Sequence, residues 1–166
     1  MTPFDAPGAT TAVSTVCQPV CGAPAYANND AGLVVGSYTD DYLVPHAFLR
    51  AQDGHVISFD APGAGLGHLL DQGTIAYSIN DFGVIARQYQ DSKNRWHGFI
   101  RYPAGSFENV KVPAAGKIAY TGTVVYDINI EAGHRGHLYR PQFQTAWLRA
   151  VERGSIREHR SAGRGL

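Results

Sequence analysis

Short stretches of alternating apolar and polar residues predict β-strands along most of this chain. Within 84–89, Ile85 and Tyr89 fall on one side and Val84 and Ala86 on the other, and each side also carries a polar residue. This period of two is typical of a pleated strand. No stretch of 10 residues before the C-terminal tail shows a helical stripe. The pattern therefore predicts an all-β protein.

A set of residues recurs at an offset of 51 positions without a gap. The pairs are Tyr26/Tyr77, Asn29/Asn80, Asp30/Asp81, Gly32/Gly83, Tyr38/Tyr89, Asp40/Asp91, His46/His97, Phe48/Phe99, Arg50/Arg101, Gly54/Gly105, Pro62/Pro113 and Gly65/Gly116. A period of this length is typical of repeat architectures. The repeat is therefore evidence about the architecture of the protein and only weak evidence about its chemistry.

Each repeat contains four short strands. In the second copy they are predicted at 76–79, 84–89, 96–102 and 107–112. Asn-Asp-x-Gly at Asn29-Asp30 and at Asn80-Asp81 predicts a hairpin turn between the first two strands. Four antiparallel strands in about 50 residues have the size of a propeller blade, and a closed ring takes roughly four to eight blades. About two and a half units are therefore too few to close a ring alone.

The same period divides the chain into segments. Phe4-Asp5-Ala6-Pro7-Gly8-Ala9 matches residues 59–64, which places the chain's start in the last strand of a unit. The predicted segments are a partial unit with a Cys-containing loop at 1–25, repeat units at 26–76 and 77–125, the start of a further unit at 126–132, and a basic tail at 133–166, irregular or partly helical.

Formal net charge is zero, but the charges are unevenly distributed. Residues 1–132 hold 7 basic and 12 acidic side chains, whereas residues 133–166 hold 7 Arg and 2 Glu. A basic tail can bind nucleic acid or anionic lipid, but two other origins are favoured here. One is a diverged capping unit. The other is a frame shift from about Ala132, because a possible coding sequence for 134–149, read one base later, encodes Tyr, Asp and His-Gly-Phe at the repeat's intervals.

Two cysteines, Cys17 and Cys21, are separated by three residues that include Pro19. A straight strand would hold them roughly 13 Å apart, so a disulfide would need a turn at the proline. A local disulfide, two unpaired thiols, and redox or metal chemistry all remain open. No His lies within fifteen residues to complete a zinc site.

The repeated histidines are interpreted as structural. His46 and His97 occupy equivalent places at the start of a strand, where each would hydrogen-bond a neighbouring Asp such as Asp40 or Asp91. Turn chemistry accounts for Asn-Asp-x-Gly, and no D-x-D-x-D-G run forces calcium binding. No catalytic residue, metal ligand or cofactor is predicted.

Aromatic residues are the best candidates for binding, because flat rings stack on the apolar faces of sugars. Trp96, Tyr42 and Tyr89 are the candidates. Trp96 breaks the repeat, since the equivalent position holds Pro45. A residue that departs from the repeat is a better functional candidate than one that the repeat requires.

His46-Ala47-Phe48 and His97-Gly98-Phe99, beside Asn-Asp-x-Gly turns and the Phe-Asp-Ala-Pro-Gly-Ala segment, resemble the HAF-repeat family over Pro3 to about Glu131. The resemblance implies a propeller-like bacterial protein, exported or at the cell surface, without a common established activity. The expected function is a non-catalytic binding or structural module. Alternatives are a propeller enzyme acting on polysaccharide, and a remnant reading frame without selected function.

The expected partners are carbohydrate or further repeat units, rather than nucleic acid. No apolar run is long enough to span a bilayer. The first residues, Met1-Thr2-Pro3-Phe4, do not begin a signal peptide. The resemblance therefore implies a secreted or surface location, whereas the sequence on its own predicts a cytoplasmic protein if the chain is complete.

Overall fold

The computed structural model describes residues 6–9, 22–67, 72–110, 112, 115–128, 134–139, 146–150 and 156–159, the last three ranges by their backbone alone. Strands make up the regular structure of these residues. They are β1 (Ala25–Asn28), β2 (Val34–Thr39), β3 (Pro45–Arg50), β4 (Val56–Phe59), β5 (Gly73–Ile79), β6 (Ile85–Gln90), β7 (Trp96–Arg101), β8 (Phe107–Val110), β9 (Gly122–Ile128), β10 (His134–Tyr139), β11 (Ala146–Ala150) and β12 (Ile156–His159). The prediction of an all-β protein is confirmed.

Successive strands form three antiparallel meanders. The first unit is the sheet β1-β2-β3-β4, the second unit is β5 to β8, and the third unit is β9 to β12. One parallel residue pair, Trp96 with Gly122, links β7 to β9 and joins the second and third units into an eight-stranded sheet. The single pair is the only break in an otherwise repeated antiparallel pattern among the described strands.

One sequence prediction needs correction. The tail was predicted to be irregular or partly helical, but its described segments are strands β10 to β12. β10 pairs along β9. The edge of β9 would otherwise leave backbone groups unpaired, so it offers hydrogen-bonding partners that favour a strand at β10. Strand β5 starts at Gly73, before the first strand of the second copy predicted at 76–79, and residues 73–76 pair with the end of β6.

The Asn-Asp-x-Gly turns order each unit and also connect the first unit to the second. The side-chain oxygens of Asn29 and Asn80 accept hydrogen bonds from the amides of Leu33 and Val84 at 3.0 Å each. Asn29 Nδ2 also donates to the carbonyl oxygen of Asn80 at 3.0 Å. Residues 51 positions apart therefore lie in direct contact across the interface between units.

The hydrophobic core lies between units rather than inside any one of them. One cluster joins Val35 and Ala47 of the first unit to Ile85 and Phe99 of the second. Another joins the second unit to Val125 of the third. Strand β6 consequently has both faces buried, although its alternating pattern predicts a mixed surface.

The segment 6–9 lies against the first unit as residues 61–64 lie against the second. A Cβ on Gly8 would lie 3.6 Å from the ring of Tyr38, and a Cβ on Gly63 would lie 3.4 Å from the hydroxyl of Tyr89. Each repeat thus covers a buried tyrosine of the following one. The third such segment, which includes residues 115 and 116, borders the site described next.

Candidate functional site

Two equivalent loops, 40–44 and 91–95, lead into the strands that carry the repeated histidines. Asp40 Oδ1 accepts hydrogen bonds from the amides of Tyr42 and Val44, both at 2.9 Å. Asp91 Oδ1 accepts from the amides of Lys93 and Arg95 at 2.8 and 3.0 Å. Each aspartate therefore fixes its loop with one oxygen and leaves the other oxygen for a histidine.

His46 lies between two carboxylates. Its Nδ1 is 2.8 Å from Asp60 Oδ2, and its Nε2 is 3.3 Å from Asp40 Oδ2. The hydrogen bond with Asp60 raises the pKa of His46; burial opposes this increase, and Asp40 adds to it. The Tyr38 ring stacks on the imidazole with centroids 5.2 Å apart. Both ring nitrogens of His46 therefore have carboxylate partners, which suits a structural role.

Removing His46 is expected to change how stability depends on pH. Because the folded-state pKa is raised, the contribution of the ring is complete below the unfolded value of about 6.5 and is lost as pH rises through the folded value. The difference in urea midpoint between wild type and His46→Gln should therefore shrink from about pH 6 to about pH 9. His55→Gln is the matched control, since that exposed side chain contacts no described carboxylate. Parallel pH profiles for wild type and His46→Gln would contradict the assignment.

His97 has a different set of partners from His46. Its Nε2 lies 3.0 Å from Asp91 Oδ2, and the same oxygen accepts from Arg95 Nε at 2.8 Å. Burial alone would raise the pKa of Asp91, but the hydrogen bonds from Arg95, His97 and the loop amides hold it well below its usual range. His97 Nδ1 makes no hydrogen bond to a described residue. In sequence, Lys111 replaces Asp60, the second acid of the first unit.

A cavity of about 350 Å³ opens beside Trp96. Trp96 and His97 form part of its wall, and Tyr89 lies behind His97, with the two rings stacked at 4.8 Å. Burial raises the pKa of Tyr89, and the side chain of Asn109 opposes this increase. The connection between β8 and β9 closes another side, where the Trp96 amide donates to the carbonyl oxygen of Thr121 at 2.9 Å. Lys117 lies on this connection and also lines the cavity.

The structure brings together some of the residues predicted from the sequence and separates others. Trp96 and Tyr89 line the same cavity, but Tyr89 is only 4% exposed and cannot offer a face to a ligand. Tyr42 is exposed on the equivalent loop of the first unit, away from the cavity. The pair Cys17 and Cys21 lies outside the described residues.

The turn residues have structural contacts. Asp30 donates its amide to Asp81 Oδ1 at 3.2 Å, which adds a second hydrogen bond between the two turns. No group of three or more His, Cys, Asp or Glu side chains in the described part of the chain could hold a metal ion.

Sequence analysis overlooked three residues of the cavity: Arg95, Asn109 and Lys117. Each of them breaks the repeat, as Trp96 does. The first unit has Val44, Pro45, Ser58 and Leu66 where the second has Arg95, Trp96, Asn109 and Lys117. Most positions differ between the two units, so a departure from the repeat does not by itself identify these three residues.

Comparison of the chain with family models, with curated proteins and with solved structures yields no match in any of the three. The described residues also include no helix with the length and apolar character needed to cross a bilayer. Inference about function therefore depends on the geometry of the cavity and on the contacts between units.

Proposed function

We propose that the chain is a non-catalytic repeat module that binds carbohydrate in the cavity beside Trp96. The observation that carries the proposal is the partly buried Trp96 in the wall of that cavity, where the first unit has Pro45 at the equivalent position. Its volume of about 350 Å³ lies within the usual range for small-molecule clefts, roughly 300–1,000 Å³. A partly buried Trp supplies a flat apolar surface with a polar edge, which suits a sugar ring.

The chemistry of the cavity favours binding over hydrolysis. Glycoside hydrolysis needs two carboxyl groups roughly 5–10 Å apart on either side of the scissile bond. No Asp or Glu is among the described residues that line the cavity. The nearby Asp91 is already engaged by Arg95 and His97. These contacts support a binding module rather than a polysaccharide-degrading enzyme.

We also propose that the units are arranged as in a propeller and that further repeat units are partners. Equivalent residues meet across the first interface: Tyr26 stacks on Tyr77 with centroids 3.8 Å apart, beside the contact of Asn29 with Asn80. β5 lies against the first unit, and β9 lies against the second. Repeated placement of one unit on the next supports a blade arrangement. By resemblance to HAF-repeat proteins, we place the module in an exported or surface protein.

Binding of oligosaccharides to Trp96→Ala tests the proposed function. Wild-type protein is expected to bind at least one sugar on a glycan array, and Trp96→Ala should weaken that binding by about tenfold or more in isothermal titration, because it removes the stacking surface. Tyr42→Ala is the matched control, since Tyr42 is 67% exposed and lies outside the cavity. Equal losses in the two variants would overturn the assignment of the site. Cleavage of the bound sugar would support the enzyme alternative instead.

A further inference from the structure

The charges around the Trp96 cavity are unequal. Arg95, His97 and Lys117 line it, whereas no described acidic residue does. Asp91 balances one positive charge through its contact with Arg95, in which Nη2 lies 2.6 Å from Oδ2. The lysine ammonium has no described carboxylate within ion-pairing distance. The cavity therefore retains a positive charge after its internal pairs are counted.

Two further hydrogen-bonding groups border the cavity. His97 uses Nε2 for Asp91 and leaves Nδ1 without a described partner. Lys117 offers an ammonium with no hydrogen bond to a described residue. Asp91 holds the imidazole in a fixed orientation beside Trp96, so Nδ1 needs no large movement to meet a bound group. A ligand that stacks on the indole would thus find charged and polar groups around the same cavity.

The first unit provides an internal comparison. Its residues at the positions of Arg95 and Lys117 are Val44 and Leu66, which carry no charge. Its histidine, His46, has both ring nitrogens occupied by carboxylates. The repeat itself therefore does not require the positive charges that Arg95 and Lys117 bring to the cavity.

We infer that the Trp96 cavity selects a sugar that carries a carboxylate, of the uronic acid class. The indole would cover the apolar face of the ring, while the ammonium of Lys117 would receive the carboxylate and His97 Nδ1 would accept a hydrogen bond from a sugar hydroxyl. A charge-assisted hydrogen bond is roughly twice as strong as a neutral one, so the carboxylate supplies selectivity that stacking lacks. This inference rests on the proposed carbohydrate binding and adds the class of ligand.

The test compares an oligogalacturonate with its carboxyl-reduced, neutral counterpart. Wild-type protein is expected to bind the acidic sugar about tenfold or more tightly, a preference equivalent to about 1.4 kcal/mol. Lys117→Gln should remove most of that preference while leaving affinity for the neutral sugar. The preference should also decline between about 20 mM and about 500 mM salt, because exposed charges are screened.

Lys93→Gln is the matched control, because it removes the same charge from an exposed position on the neighbouring loop outside the cavity lining. It should keep the preference for the acidic sugar. Trp96-dependent binding with equal affinity for both sugars would overturn the inference about charge and leave the proposed function intact. If neither sugar bound in a Trp96-dependent way, the proposed function and this inference would both be overturned.

Discussion

Replacing Phe99 by alanine is expected to lower the free energy of unfolding by about 3–5 kcal/mol, the usual cost of removing a buried aromatic ring. Phe99 has no exposed surface. Its ring lies 5.8 Å from that of Phe107, tilted by 55°. It also belongs to the cluster that contains Val35 and Ala47 of the first unit. The resulting void would therefore weaken the second unit and its contact with the first.

The position of Phe99 between units predicts a single cooperative transition. Urea unfolding followed by circular dichroism and by tryptophan fluorescence should give coincident curves in wild type and a parallel, shifted pair of curves in Phe99→Ala. Phe82→Ala is the control, because Phe82 is 67% exposed and its replacement should change stability by about 0.5 kcal/mol or less. Two separate transitions in the wild-type protein would show that the units unfold independently.

The repeat and its alternation predict most of the described fold because both depend on local chemistry. Asn80 stabilises its turn because its side-chain oxygen accepts hydrogen bonds from the amides of Phe82 and Val84 in the same loop. Such contacts lie within a few residues and can be read along the chain. The same reasoning placed His46 beside Asp40, six residues away, where the structure has it.

Arg87 illustrates what a local pattern cannot predict. Alternation assigns it to a mixed, polar face, but its guanidinium lies 4.1 Å from the centroid of Tyr77 and 4.7 Å from that of Tyr126. Burial lowers the pKa of Arg87, and the neighbouring tyrosines oppose this effect. The rings that make this position favourable for a cation come from two different units. Their proximity follows from packing between units, which one strand's pattern does not contain.

The cavity was only partly predictable for the same reason. Trp96 departs visibly from the repeat, but its relation to Lys117 depends on how the connection between β8 and β9 folds back. The hydrogen bond from the Trp96 amide to Thr121, and the one from the Tyr120 amide to Asn94 at 2.6 Å, hold that connection in place. Neither contact has a counterpart in the motif that defines the repeat.

Replacing Gly73 by alanine is expected to lower the free energy of unfolding by about 2–6 kcal/mol, comparable with the loss of a core aromatic residue. Gly73 has a φ of 127°, a value that residues with a side chain rarely adopt. A Cβ at this position would also collide with the carbonyl oxygen of Pro45. The strained backbone costs about 1–3 kcal/mol, and forcing apart two packed segments costs about as much again. Because Pro45 begins β3 of the first unit, the collision would push one unit away from the next.

Gly22 provides the matched control for this prediction, because it occupies the equivalent position 51 residues earlier. Its φ is 93°, but a Cβ there would meet no atom of a described residue within 4 Å. Gly22→Ala should therefore carry the backbone cost of about 1–3 kcal/mol without the collision. Urea unfolding of both variants gives the cost of the collision as the difference between their free energies of unfolding, each measured relative to wild type. Equal destabilisation would mean that the close approach of Gly73 to Pro45 contributes nothing to the contact between units.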